Sequence, residues 1–121
     1  MAKRIEKFED LEIWKLSMAL FRDIYNVIKD NKNFGLKDQI IRSSLSVPSN
    51  IAEGFDRESN KEFIRFLNIA LGSCSELRTQ LYAVQAIELI PKKECEEMIE
   101  RTRIISSMLY KFIKARKELY S

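Results

Sequence analysis

Three stretches of this chain put polar, charged or small residues where a simple helical protein would place Leu, Ile and Phe: Gln39 to Arg42, Val47 to Gly54, and Gly72 to Leu77. Asn50 and Glu53 lie three residues apart and share a helical face, and Glu76 follows Gly72 by one turn. Arg42 paired with Glu53 or Glu76, with Gln39 and Asn50 as satellites, would form a partly buried ion pair. Removing one partner from such a pair costs about 3 to 5 kcal/mol, because the other charge is stranded. Networks of this kind specify register or a subunit contact more often than they carry out a reaction. The chemistry open to this one is the holding of a divalent cation between Glu53 and Glu76, and two carboxylates on separate helices make a thin ligand set.

Catalytic apparatus is missing elsewhere. The chain has no His to serve as base or metal ligand, no Gly-rich phosphate loop, no Ser or Cys nucleophile with a readable partner, and no Glu-x-x-His pair. Cys74 and Cys95 form no CxxC spacing and read as small core residues. The expectation is therefore a protein that is not an enzyme and uses neither metal nor cofactor nor small-molecule substrate.

The cations are the second chemical feature. Six Lys or Arg stand between Arg101 and Ser121 against the single Glu118, whereas four Glu crowd Glu94 to Glu100. An acidic start and a basic end match the dipole of a helix, which explains much of this polarity without any ligand. Lys3, Arg4 and Lys7 at one terminus and Lys111, Lys114, Arg116 and Lys117 at the other remain candidate phosphate contacts, bordered by the less constrained Phe8 and Phe55. No zinc finger, recognition helix or RNA-binding sheet motif is readable, so base-specific readout is not expected.

The elements that must position these residues are helical. With 121 residues, three Gly and two Pro, 45% hydrophobic and 32% charged residues and a net charge of +3, the composition is that of one soluble domain with too few breakers for an all-β fold. No stretch is long and apolar enough to span a bilayer, and the first residues carry charge instead of a signal core, so a cytoplasmic location is expected. Apolar spacing predicts helices over about 9–31, 36–56, 60–89 and 91–118 within a single domain over 1–121. In the first, Leu11, Trp14, Met18, Phe21, Tyr25 and Ile28 form a stripe that Ile13, Leu20, Ile24 and Val27 widen, enough for more than one neighbour. Asn31, Asn33 and Gly35 supply turn chemistry and a left-handed C-terminal cap. The second helix buries Leu36, Ile40, Ser44, Val47, Ile51 and Phe55 and should kink or break near Pro48. Ser59 and Glu62 form a capping box ahead of the third helix, whose Phe63, Leu67, Ala70, Cys74, Leu77, Leu81, Val84 and Ile87 hold a four-three alternation. Pro91 suits the first turn of the fourth, where Cys95, Met98, Thr102, Ile105, Leu109 and Phe112 repeat the spacing. Gly72, with Ala70, Ser73 and Ser75, predicts a smooth patch where the third helix crosses the second closely, against Ser44, Ala52 and Gly54. The fold class is all-α, an antiparallel up-down-up-down four-helix bundle.

Several of these pieces, Phe8 to Leu11 with Trp14, Gln39 to Ser43, Asn50 to Gly54, Arg57, Phe63 to Phe66, and Gly72-Ser73 with Glu76-Leu77, stand in an order that resembles the four-helix bundle proteins encoded in bacterial 23S rRNA intervening sequences, over about residues 8–113. Pro48 and Ser49 before Asn50 are one departure, at a place where the family varies. The resemblance implies a ring-like homo-oligomer, a pentamer by preference, and the chain is also similar to the pentameric, nucleic-acid-binding accessory protein of diversity-generating retroelements. It supplies no catalytic residues. The reading that follows is a noncatalytic homo-oligomer associated with RNA or another nucleic acid, in which Gln39, Arg42, Asn50, Glu53, Gly54, Gly72, Ser73 and Glu76 shape the bundle and its contacts. The second reading is a structural adaptor ring that binds another protein.

Overall fold

The computed structural model describes residues 4–119. Lys3 and the last two residues lie outside them. Among the described residues the order is a short 3-10 turn, Phe8–Asp10, followed by helices α1 (Glu12–Ile28), α2 (Phe34–Phe55), α3 (Asn60–Ala86) and α4 (Lys92–Leu119), with no strand. Consecutive helices pack side by side and α4 closes back on α1, so the four surround one core. Ser43, Ser46 and Gly54 of α2 meet Gln80, Ser73 and Phe66 of α3, ascending against descending, so these two helices run antiparallel.

Local chemistry accounts for most helix ends. Ser59 accepts a hydrogen bond from the Glu62 amide at 3.1 Å and starts α3, as the capping box predicts. The left-handed cap expected among Asn31, Asn33 and Gly35 does not form: α1 ends at Lys29 in right-handed geometry, and Asn33 caps the start of α2. Its side chain accepts from the Leu36 amide at 3.3 Å, and Gly35 lies inside α2 with no positive φ. The α3–α4 turn is closed by Glu88, a non-glycine residue at φ 54°, while the Leu89 amide donates to the Val84 carbonyl at 2.9 Å. α2 runs continuously through the buried Pro48, so it is not split into two helices.

The core follows the stripes of α2, α3 and α4. Ile40, Val47, Ile51, Leu67, Ala70, Cys74, Leu77, Leu81, Val84, Cys95, Thr102, Ile105 and Leu109 are all buried, and Ile87 escapes because α3 ends one residue earlier. Both cysteines are free, and burial pushes the Cys74 thiol above its ordinary pKa.

In α1 only the ends of the expected stripe, Leu11 just ahead of the helix and Ile28, are buried. Ile13, Leu20 and Ile24 fill the core with Ile28, whereas Trp14, Met18 and Phe21 are only partly buried and Tyr25 is 44% exposed. At 100° per residue the second set lies a quarter turn from the first. With Lys15, Ala19 and Arg22 it lines an apolar surface groove of about 500 Å³.

Candidate functional site

The eight motif residues of α2 and α3 do not form the expected ion-pair network. Arg42 is 80% exposed at its side chain and bonds Asp38, one turn away on its own helix, at 3.1 Å. Glu53 accepts from Arg57 at 2.9 Å and Glu76 from Gln80 at 3.3 Å, both again within one helix. The physical reason is register. Gln39, Arg42 and Glu53 are exposed on an arc of α2 turned from the core, with Ser46 and Asn50 half-buried at its edge, so the charges meet water and need no cross-helix partner. What joins the helices is uncharged: Ser46 meets Ser73 at 2.9 Å and the Ser43 hydroxyl donates to Gln80 Oε1, while the Asn50 side-chain amide donates within α2 to the Ser46 carbonyl and hydroxyl at 2.8 and 2.9 Å.

The two glycines of this motif differ. A Cβ on Gly54 would stand 2.5 Å from Phe66 Cβ and 3.1 Å from Phe63 Cδ1, so the close crossing of α2 and α3 is here. Gly72 was expected at that crossing, yet it is exposed and a Cβ there would meet nothing within 4 Å.

The cations tell a different story. The cleft at the end of the bundle where α2 passes into α3 holds about 540 Å³ and is lined by Arg4, Arg57 and Arg116, with Glu58 the one acidic residue among the described lining residues. Its floor is the end of the core. The ring of Phe63 stands edge-on to Phe55 at 5.8 Å and to Phe112 at 5.5 Å, with Leu11 beside them. Ser59 and Asn60, the first residues of α3, complete the wall.

Two of the three guanidinium groups are held in place. Arg116 Nε donates to Asn60 Oδ1 at 2.7 Å, Asn60 Nδ2 donates back to the Arg116 carbonyl at 3.2 Å, and the guanidinium lies 5.1 Å from the Phe63 ring centroid. Arg57 is tied to Glu53 and lies 4.9 Å from the Phe66 centroid. Arg4 is exposed and makes no ion pair among the described residues. Against Glu53 and Glu58, the three arginines leave the cleft a modest positive balance, which favours an anion.

Of the cations expected from the sequence, Arg4 and Arg116 meet in this cleft, whereas Lys7, Lys111, Lys114 and Lys117 are exposed and not among its lining residues. Phe55 borders the cleft as expected. Phe8 does not, because it packs edge-on against Trp14 at 5.3 Å. Arg57 was not among the candidate contacts. The only local signal for it was its place two residues before the Ser59 cap, which puts it at the mouth of the helix.

The family model for the 23S rRNA-intervening sequence protein matches residues 9–111. A crystal structure of a protein of unknown function from the S23 ribosomal protein family of Bacteroides thetaiotaomicron is similar to this chain, with 28% identity, a TM-score of 0.80, and coverage of 84% of this chain and 98% of that one. No curated protein matches. Arg57, Ser59, Asn60 and Phe63 fall within the matched residues, whereas Arg4, Phe112 and Arg116 fall outside them.

Proposed function

Because this chain belongs to the 23S rRNA-intervening sequence protein family, we propose that it is a noncatalytic, cytoplasmic homo-oligomer that associates with RNA or another nucleic acid through its arginine-lined end. The observation that carries this reading is the convergence of Arg4, Arg57 and Arg116, from three separate segments, on one concave surface. Guanidinium forks match phosphate oxygens in geometry as well as charge. The exposed Lys111, Lys114 and Lys117 on the last turns of α4 extend the positive surface beyond the cleft.

Self-association into a ring, a pentamer by preference, is supported by the α1 groove of Trp14, Met18, Phe21 and Tyr25. It is flanked by Lys15 and Arg22, while the outer face of α2 and α3 presents the flat surface of Gly72 with the mixed charges of Arg42, Glu53 and Glu76. Two different faces suit a head-to-tail ring. The same groove favours the second reading, an adaptor that displays an apolar surface to another protein.

Light scattering on a sizing column, with absorbance at 260 and 280 nm across the peak of protein prepared without nuclease, tests both parts. We expect a mass near five chains and excess 260 nm absorbance. Neutralising three phosphates of a single strand predicts a fall in affinity of about 20-fold between roughly 50 and 200 mM salt. Charge reversal at Lys114, Arg116 and Lys117 should abolish retention of nucleic acid. Retention that survives reversal, or affinity flat in salt, overturns the nucleic-acid reading, and a clean monomer overturns the ring.

A further inference from the structure

We propose that the outer groove between α3 and α4 is a track for a single strand of nucleic acid, on which Tyr82 and Tyr110 stack bases while Arg78, Lys114 and Lys117 hold phosphates. The inference rests on the nucleic-acid reading above and carries the contact from the end of the bundle along its side.

Two stripes make this face. On α3, Ile64, Asn68, Leu71, Ser75, Arg78 and Tyr82 follow one another at alternate steps of four and three, and on α4 Arg103, Ser106, Tyr110, Lys114 and Lys117 recur at steps of three or four. Hydrogen bonds fix their register: Asn60 meets Arg116 at the arginine end, Arg78 meets Thr102 and Ser106 farther along, and Arg103 donates to the Tyr82 hydroxyl beyond them. Neither stripe carries an acidic residue. Glu100 and Glu118 border the α4 stripe, with Glu100 bonded to Arg103, and Arg78, Arg103, Lys114 and Lys117 outnumber them. Two turns before Arg103, Glu96 pairs with Lys92 and the basic face stops.

Arg78 departs from the pattern of the other surface arginines. Arg22, Arg42, Arg57, Arg65, Arg101 and Arg103 each meet a carboxylate. Arg78 instead donates from Nε to Thr102 Oγ1 at 2.9 Å and from Nη2 to the Thr102 carbonyl at 3.3 Å and Ser106 Oγ at 2.6 Å, all neutral oxygens. Its charge has no counter-ion and its Nη1 no acceptor among the described residues. Thr102 is fully buried and Ser106 half-buried, so the guanidinium is fixed in place before any anion arrives.

The tyrosines select the class of ligand. Tyr110 is 65% exposed and its side chain makes no hydrogen bond or ring contact among the described residues, so the fold makes no use of it. Tyr82 is 45% exposed and oriented by Arg103. Along the groove the order is Tyr82 with Arg103, then Arg78, then Tyr110, then Lys114 and Lys117 at the arginine end; Arg103 and Tyr110 are about 10 Å apart on α4. Aromatic faces alternating with cations fit a strand whose bases are free to stack, whereas a duplex keeps its bases stacked on one another.

The test uses the full chain and fluorescence anisotropy with a single-stranded RNA of twelve nucleotides, an abasic strand of the same length, and a blunt duplex of the same sequence as competitor. We expect Tyr110→Ala to weaken the RNA strand by about tenfold and Tyr82→Ala by less, and Tyr110→Phe to bind as the natural chain does. The abasic strand should bind more weakly and be indifferent to Tyr110→Ala. Arg78→Gln should weaken both strands and lower the salt slope by about 0.7, and Lys92→Gln, at the opposite end of the bundle, should change neither. Both tyrosine variants binding like the natural chain, while Arg4→Ala or Arg57→Gln loses affinity, would overturn the track and leave the arginine end standing. A duplex that competes as well as the strand would overturn stacking. A Tyr110→Ala variant whose assembly changes mass in light scattering would show that this face meets a second copy instead. No binding of any strand by the natural chain would overturn both readings.

Discussion

At one end of the bundle a cleft of about 540 Å³ is lined by Arg4, Arg57 and Arg116 against Glu58; at the other, a cleft of about 480 Å³ is lined by Gln85, Glu88 and Lys92 with Leu89, Ile90 and Pro91. The 27 residues of α3 separate them by about 40 Å. Volume does not distinguish the two places. Charge does, since Glu88 and Lys92 cancel, whereas Arg4, Arg57 and Arg116 outnumber Glu53 and Glu58. The backbones differ too. The arginine end is closed by an extended Ser59 cap and a close helix crossing at Gly54, the other by Glu88 held at positive φ. A hollow at the end of a bundle is thus an ordinary consequence of helices that stop, and what turns one of them into a candidate site is which side chains the stops bring together.

Substitutions can break or sharpen that contrast. The largest stability effect is expected at the arginine end, where Gly54→Ala forces a methyl group against Phe66 and Phe63. Overpacking of this kind costs about 1–3 kcal/mol. Gly72→Ala is its control: with open space around it and a helical backbone, it should stabilise the monomer by about 0.5–1 kcal/mol. Thermal melting of both variants checks the pair, and a Gly72→Ala variant that melts higher but loses subunits would show that its flat surface is used between copies.

Asn60→Ala removes both hydrogen bonds that tie α3 to Arg116 and should cost about 1–2 kcal/mol. It should also weaken strand binding, because Arg116 loses its fixed orientation. Denaturant unfolding and anisotropy on the same preparation separate the two effects. At the opposite end the sign reverses. Glu88→Gly relieves a left-handed residue and should stabilise by about 1 kcal/mol, raising the melting temperature by roughly 3–6 °C without touching binding.

The smallest effect lies between the ends, where Arg101 of α4 reaches Asp23 of α1 at 2.7 Å. The Arg101 hydrogen bond, helped by Arg22, holds the Asp23 carboxyl below the ordinary carboxylate range. A lowered folded pKa contributes stability that is present above the unfolded value, 3.8, and lost as pH falls through the folded one. The melting temperatures of the natural chain and Asp23→Asn should therefore differ above pH 4 and converge below it. Both side chains are partly exposed, which keeps the gap under about 1 kcal/mol.

Much of this molecule was legible in its residues. The stripe of α3, the Ser59 cap, the burial of both cysteines and the four-helix class follow from interactions that reach three or four positions along the chain, and these survive any tertiary arrangement. Where the reading went astray, it had used local spacing to answer a question about neighbours. Arg42 was expected in a partly buried pair with Glu53 or Glu76, but which arc of α2 faces the core is set by the whole stripe of Ile40, Val47 and Ile51, and that stripe turns Arg42 outward. The two glycines show the same error in miniature, since sequence cannot say which of them sits at a helix crossing.

α1 illustrates the division most clearly. Its amphipathic character was written in the sequence, yet two adjacent apolar faces competed for the core, and only the packing of α2 and α4 against Ile13, Leu20 and Ile24 left Trp14, Met18 and Phe21 at the surface. The cleft was decided entirely at that level. The sequence by itself determined four helices, their caps and most of the buried residues, because side-chain periodicity is a local property. That Arg4, Arg57 and Arg116 come to face one another depends on how long each helix runs before the chain turns back, and only the assembled bundle holds that information.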